Sequence, residues 1–220
     1  MDEYHERLAR VGLEALAPYG FCLAGGYAVQ AHGLLERPSE DIDLFTTAAS
    51  EAQFPDATAA AIAAYSANGL AVATLLANPA FARLSVTDPA SDDTAKVELA
   101  IDWRAHTPVK LTIGPVLHPD DAVANKVCAL YSRAQARDYI DVDAALSNRY
   151  DGNDLLRLAQ EHDPGFDPTT FAGALRAVRR LPLAEFRAYG LPDSAAAALV
   201  NRMLQWAIAI ETQPESEQQR

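Results

Sequence analysis

The chain has 220 residues and a formal net charge of −12 at pH 7, with 30 acidic and 18 basic side chains. This acidity argues against broad non-specific nucleic-acid binding, although a local basic groove stays possible. No apolar run approaches the roughly 20 residues of a membrane span, and the polar segment 1–10 lacks a secretory signal. We therefore predict a cytoplasmic protein that does not bind membranes.

The first part of the chain is predicted to form helix, strand, helix and strand. Apolar residues at helical spacing predict a helix over 2–17, which Pro18 ends. A short strand over 21–24, a helix over 26–33 and a strand over 41–46 follow.

Two glycines, Gly25 and Gly26, stand at the start of the second helix. Glycine lets backbone N–H groups approach a phosphate closely at such a turn. Arg37 and Ser39 precede the next strand, where Arg37 could hold a triphosphate; an ordinary loop turned by Pro38 is the alternative. We predict that Gly25, Gly26, Arg37 and Ser39 bind a nucleotide.

Asp41 and Asp43 are two residues apart in a predicted strand, so their carboxylates point to the same face. Adjacent like charges repel each other unless a cation lies between them. Oxygen ligands of this kind suit Mg²⁺ or Mn²⁺. Surface aspartates at a strand end are the plain alternative, but the pair beside a glycine turn predicts metal-assisted nucleotidyl transfer.

The middle of the chain is predicted to supply one helix and four strands. In chain order these are a helix over 50–68 and strands over 70–76, 81–87, 96–103 and 109–116. A third metal-binding carboxylate should come from a strand next to the aspartate pair. Glu98 and Asp102 share one face of strand 96–103. Glu98 is the predicted ligand, because an acid between apolar neighbours needs a partner, and Asp102 is the reserve.

Lys126 lies on a helix predicted over 119–132, and a second helical segment starts near Arg137. Arg137 and Asp141 are four residues apart, so an intrahelical ion pair is the simplest explanation for them. One straight helix would separate Lys126 from Asp141 by about 22 Å. We predict that the chain reverses within 132–136, which would bring Lys126 and Asp141 into one site.

From residue 151 the sequence predicts helices over 153–162, 168–180, 183–189 and 194–210, and a disordered polar tail over 211–220. An RNA acceptor is predicted to contact five arginines: Arg133, Arg137, Arg176, Arg179 and Arg180. An ordinary solvated face is the alternative for this cluster. The five histidines show no zinc-ligand spacing, and each is predicted to be a surface or packing residue.

Three segments resemble the AbiEii/AbiGii (MenT-like) nucleotidyltransferase toxins of bacterial toxin–antitoxin pairs, within the DNA polymerase β-type superfamily. They are LAGGYAVQAHGLLERPSEDIDLF, the strand VELAID, and ANKVCALYSR together with RDYIDV. One departure is Gly26, where many members of the superfamily have a serine.

The resemblance implies an α+β fold, with a polymerase β-like mixed sheet and helices followed by a C-terminal helical bundle. We place the catalytic core at 1–118, a helical region completing the active site at 119–210, and the tail at 211–220. The resemblance also implies that Asp41 and Asp43 bind the metal, that Lys126 contacts the triphosphate, and that Asp138 or Asp141 is needed for activity.

The family further implies transfer of a nucleotide from an NTP to an acceptor, with the 3′ end of tRNA as the expected one, and a cognate antitoxin. Such a modification would block translation. Two alternatives stay open. The net negative charge favours a small cationic acceptor such as an aminoglycoside, and a degenerate member of the family would only bind a partner protein.

Overall fold

The structure is a computed structural model that describes residues 1–212. These residues group into two units: the first is Met1–Ala122, and the second begins at Val123. Within the described residues, no helix is both long enough and apolar enough to cross a membrane.

The first unit contains a mixed sheet of seven strands with helices. The helices are α1 (Glu3–Ala15), α2 (Gly25–Ala31) and α3 (Phe54–Ala67), with 3₁₀ segments at Ala17–Tyr19 and Ala48–Gln53. The strands are β1 (Cys22–Leu23), β2 (Asp41–Thr46), β3 (Ala71–Asn78), β4 (Phe81–Thr87), β5 (Thr94–Ile101), β6 (Val109–Leu111) and β7 (Gly114–Val116). Their order across the sheet is β3-β4-β5-β2-β1-β7-β6.

Strands β2 and β5 lie side by side in the middle of the sheet and run parallel. Their alternate apolar residues are fully buried: Ile42, Leu44, Val97 and Leu99. Successive side chains of a strand point to opposite faces, so the acidic residues between them lie on the other, less buried face. Burial of the apolar face thus fixes where the acids of both strands point.

The segment 109–116 was predicted as one strand, and this prediction is wrong. It forms two short strands, β6 and β7, which pair antiparallel with Val109 opposite Val116 and Leu111 opposite Gly114. Gly114 has a φ of +134°, a conformation that other residues rarely adopt, so the glycine turns the chain back here.

The second unit is helical. Its helices are α4 (Pro119–Arg133), which begins within the first unit, α5 (Ala136–Asn148), α6 (Gly152–His162), α7 (Pro168–Ala177), α8 (Leu183–Arg187) and α9 (Asp193–Thr212), with a 3₁₀ turn at Val178–Arg180. Tyr139 of α5 donates a hydrogen bond to the Ala174 carbonyl of α7. Asp143 of α5 accepts two from Arg202 of α9. Glu211 and Thr212 belong to α9, whereas the rest of the predicted disordered tail, 213–220, lies outside the described residues.

Candidate active site

The carboxylates of β2 and β5 meet on one face of the sheet. The strand register places Asp43 beside Glu98 and Asp41 beside Lys96. Asp41 Oδ1 is buried and has no hydrogen-bond partner among the described residues, although Lys96 Nζ lies 3.7 Å from it. A buried carboxylate oxygen without a hydrogen bond is costly. This arrangement therefore fits a divalent cation with oxygen ligands.

Glu98 and Asp102 differ sharply in position. Glu98 lies directly beside Asp43, and its Oε1 accepts a hydrogen bond of 2.7 Å from Arg83 Nε on β4. Asp102 lies beyond the end of β5, and its Oδ1 accepts a hydrogen bond from the Trp103 backbone N–H. Four residues of strand correspond to about 13 Å. The register therefore leaves Asp102 at the opposite end of β2 from the aspartate pair.

The glycine turn packs against these carboxylates. Gly25 has a φ of +59°, and a Cβ atom there would lie 1.7 Å from Asp43 Oδ2. A Cβ atom at Gly26 would lie 2.7 Å from Ser39 Oγ and 3.8 Å from Arg37 Nη2. Glycine is thus required at position 25 by both backbone conformation and space. At position 26, where many members of the superfamily have a serine, the Ser39 hydroxyl lies in the space beside the glycine.

Arg37 is held in the loop before β2, where it is only 8% exposed. Its Nη1 donates to the Pro38 carbonyl at 2.8 Å. Tyr27 of α2 donates to the Ser39 carbonyl at 3.0 Å, which fastens the loop to that helix. Four of the five residues predicted to bind a nucleotide, Gly25, Gly26, Arg37 and Ser39, therefore lie around this turn.

Lys126 and Asp141 form a buried ion pair. Lys126 Nζ lies 2.9 Å from Asp141 Oδ2, and the two side chains are 10% and 0% exposed. The contact forms because α4 ends at Arg133 and α5 begins at Ala136, with Ala134 in the left-handed region at a φ of +49°. The chain thus reverses where the distance argument required it.

Asp138 is a helix cap rather than a second partner for Lys126. Its carboxylate accepts hydrogen bonds from the Gln135 backbone N–H and from Arg133, with Arg133 Nη2 at 2.7 Å. Gln135 and Asp138 together form a capping box at the start of α5. Asp141 is paired with Lys126 and not with Arg137, the partner expected four residues away on the same helix. Arg137 Nε is buried without a hydrogen-bond partner in the described part of the chain.

The other arginines proposed for RNA lie in different surroundings. Arg176 binds Glu211, and Arg133 binds Asp138. Helix α7 ends at Ala177, so Arg179 and Arg180 lie on the 3₁₀ turn that follows it, and both are exposed. The three C-terminal arginines therefore do not lie on one continuous α-helix.

The structure also brings together groups that the sequence spacing did not reveal. Ligand atoms of His106, His118 and Asp120 lie within 4.8 Å of one another. His106 and His118 lie on either side of the β6–β7 hairpin. Because 109–116 was predicted as one strand, the two histidines were not expected to lie close together. Lys96 and Arg83, which contact Asp41 and Glu98, were likewise not predicted.

The chain is similar in fold to three solved structures, two of which are described as nucleotidyltransferases. JHP933 from Helicobacter pylori is 19% identical with a TM-score of 0.58, and the match covers 99% of this chain and 98% of that one. A putative nucleotidyltransferase from H. pylori is 16% identical with a TM-score of 0.60 and full coverage of both chains. The nucleotidyltransferase toxin MenT4 from Mycobacterium tuberculosis is 18% identical with a TM-score of 0.60, covering 98% of this chain and 85% of that one.

The family model described as nucleotidyl transferase AbiEii toxin, type IV toxin–antitoxin system, matches residues 8–206. The chain therefore belongs to the AbiEii family of nucleotidyltransferase toxins, which implies a cognate antitoxin. No curated protein matches it. The predicted family and the predicted α+β fold are confirmed.

Proposed function

We propose that this toxin transfers a nucleotide from an NTP to an acceptor, and that Asp41, Asp43 and Glu98 hold Mg²⁺ or Mn²⁺ for the reaction. The main support is the buried Asp41 Oδ1, which lacks a hydrogen-bond partner among residues 1–212. Further support comes from Glu98, which the strand register sets beside Asp43. Asp102 is less suitable because of its distance along the strand.

The divalent ion, when bound, supplies positive charge for the phosphates and activates the attacking hydroxyl. The residues of the chain bind and orient the NTP. Backbone N–H groups of the Gly25–Gly26 turn and the guanidinium of Arg37 bind phosphate oxygens, while Ser39 lies against the same turn. The family resemblance also assigns a triphosphate contact to Lys126. Because Asp141 is ion-paired with the Lys126 ammonium group, Asp141 would position that group.

We propose the 3′ end of tRNA as the acceptor, so that modification would stop translation. The family supports a toxic reaction, and the exposure of Arg179 and Arg180 supports an RNA ligand. A small cationic acceptor is the competing candidate, because the chain has a net charge of −12.

The acceptor test incubates the protein with each labelled NTP and Mg²⁺, in the presence of total tRNA or of aminoglycosides. Label at the 3′ end of tRNA supports the proposal. Label on the drug alone would replace tRNA with a small acceptor. No transfer to either acceptor with any NTP would contradict the proposed reaction.

The site test compares Asp41→Asn and Asp43→Asn with Asp56→Asn, an exposed aspartate in the first turn of α3. Each of the first two variants should lose at least about 100-fold in activity, because a lost metal ligand removes several kcal/mol of charge stabilisation. The Asp56 variant should keep wild-type activity. Near-normal transfer by either site variant, with an unchanged metal requirement, would show that the carboxylate pair is not the metal site.

A further inference from the structure

Two imidazoles and a carboxylate, none of them from β2 or β5, meet at the open end of the β6–β7 hairpin. His106 precedes the hairpin, and His118 and Asp120 follow it at the start of α4. Their ligand atoms lie within 4.8 Å of one another, and all three residues are half-buried. The cluster therefore combines partial shelter with access for an ion from solvent.

The two histidines are already arranged side by side. Their rings stack with centroids 4.3 Å apart and planes 20° from parallel. His118 Nδ1 lies 3.7 Å from Asp120 Oδ2. Ligands around a zinc ion at about 2.1 Å lie about 3.4 Å apart, so these groups need to approach by at most about 1.4 Å. Because the two rings are nearly parallel, the side chains must also rotate before both nitrogens point at one ion.

The Asp121 carboxylate holds the His106 backbone and lies next to its ring. It is only 2% exposed and accepts hydrogen bonds of 3.0 Å from the backbone N–H groups of Ala105 and His106. His106 Nδ1 lies 3.3 Å from the same carboxylate. A histidine that donates one ring N–H to a carboxylate presents its other nitrogen as a ligand, which is the usual second partner in metal sites.

Charge and position also favour a cation here. The N-terminal end of a helix is itself positive and would repel a cation, but Asp120 and Asp121 place two carboxylates in that first turn. The β7 strand that leads into the cluster pairs with β1, and the Leu117 N–H donates to the Leu23 carbonyl. His118 thus follows directly after the residue that contacts the end of β1, the strand that leads into the Gly25–Gly26 turn.

We propose that His106, His118 and Asp120 bind a divalent transition-metal ion, for which Zn²⁺ best matches the donor set. Two imidazole nitrogens and one carboxylate oxygen form a three-ligand set that zinc completes with water. The ion fastens the loop that contains His106 to the start of α4, so it stabilises the folded first unit. This inference does not depend on the proposed reaction or its acceptor.

The test uses the full chain with Asp41→Asn and Asp43→Asn, so that Zn²⁺ cannot bind to that pair. After treatment with a chelator and dialysis, titration with Zn²⁺ alone should show one equivalent bound and a rise in Tm. His106→Gln and His118→Gln should each weaken Zn²⁺ binding by about 100-fold, and Asp121→Asn by about 10-fold to 100-fold. His162→Gln is the matched control, because His162 belongs to no such cluster in the described part of the chain, and it should bind normally.

Two results would overturn the proposal: no stoichiometric Zn²⁺ binding by the parent, or a Zn²⁺ affinity in the His106 and His118 variants that equals that of the parent. Circular dichroism without Zn²⁺ checks that each variant folds. Should a variant fail to fold, X-ray absorption of the Zn²⁺-loaded parent decides the matter. A shell with two imidazole nitrogens supports the site, and a shell of oxygens alone overturns it.

Discussion

Breaking the Lys126–Asp141 pair should destabilise the second unit strongly, and removing both partners should cost much less. At 2.9 Å the attraction is about 6 kcal/mol with an effective dielectric constant of about 20. Desolvation of the two ions offsets much of this gain. A single substitution, Lys126→Met or Asp141→Asn, leaves the other charge buried and should cost about 3–5 kcal/mol. The double variant Lys126→Met with Asp141→Leu should stay within about 2 kcal/mol of the wild type.

The assay is urea unfolding followed by tryptophan fluorescence. The chain has two tryptophans, Trp103 in the first unit and Trp206 on α9. Trp103→Phe therefore leaves Trp206 as the reporter of the second unit, where its ring packs 5.2 Å from that of Phe171. Each variant is compared in this background, and the coupling free energy follows from the four unfolding curves.

The matched control is the pair of Arg157 and Glu161 on α6, whose side chains are 63% and 47% exposed. Glu161→Gln should cost less than about 1 kcal/mol, because water already screens that pair. The reasoning is refuted if Asp141→Asn costs no more than Glu161→Gln, or if the two single losses simply add in the double variant. An activity readout separates positioning from stability: Asp141→Asn should raise KM for NTP as Lys126→Met does, since both disturb the same ammonium group.

Three further predictions concern the sheet, the glycine turn and α5. Glu98→Gln should lower transfer more than Asp102→Asn, and the reverse order in parallel activity assays would move the third ligand to Asp102. Gly25→Ala should abolish activity, because its Cβ would overlap the Asp43 carboxylate. Gly33→Ala, at a similar φ but with nothing within 4 Å, should keep its activity and lose only about 1–2 kcal/mol of unfolding free energy in urea. Equal activity in the two variants would contradict this. Burial raises the pKa of Tyr139 to about 12, so its contribution to stability is full below about pH 10 and is lost as pH rises towards 12. The stability difference between Tyr139→Phe and the wild type should therefore narrow between pH 8 and 11, and a constant difference would argue against the shift.

The local sequence was sufficient to predict much of the site. Alternation of apolar and acidic residues predicted that Asp41 and Asp43 share one face of β2, and that Glu98 and Asp102 share one face of β5, because a strand has a period of two. The glycine pair predicted a tight turn before α2. The reversal within 132–136 followed from two premises: the family resemblance assigned Lys126 and Asp141 to one site, and a straight helix would hold them about 22 Å apart.

Only the tertiary structure decided which side chains meet across elements. The parallel register of β2 with β5 sets Glu98, and not Asp102, beside Asp43. The residue spacing within one strand does not determine its register with a neighbouring strand. Asp141 pairs with Lys126 on another helix, because the chain reverses between α4 and α5 and sets the two side chains 2.9 Å apart. The hairpin after β5 brings His106 to His118 across a turn that the sequence pattern did not reveal. Periodicity along the chain determines which face a residue occupies, whereas packing between elements determines what it touches there.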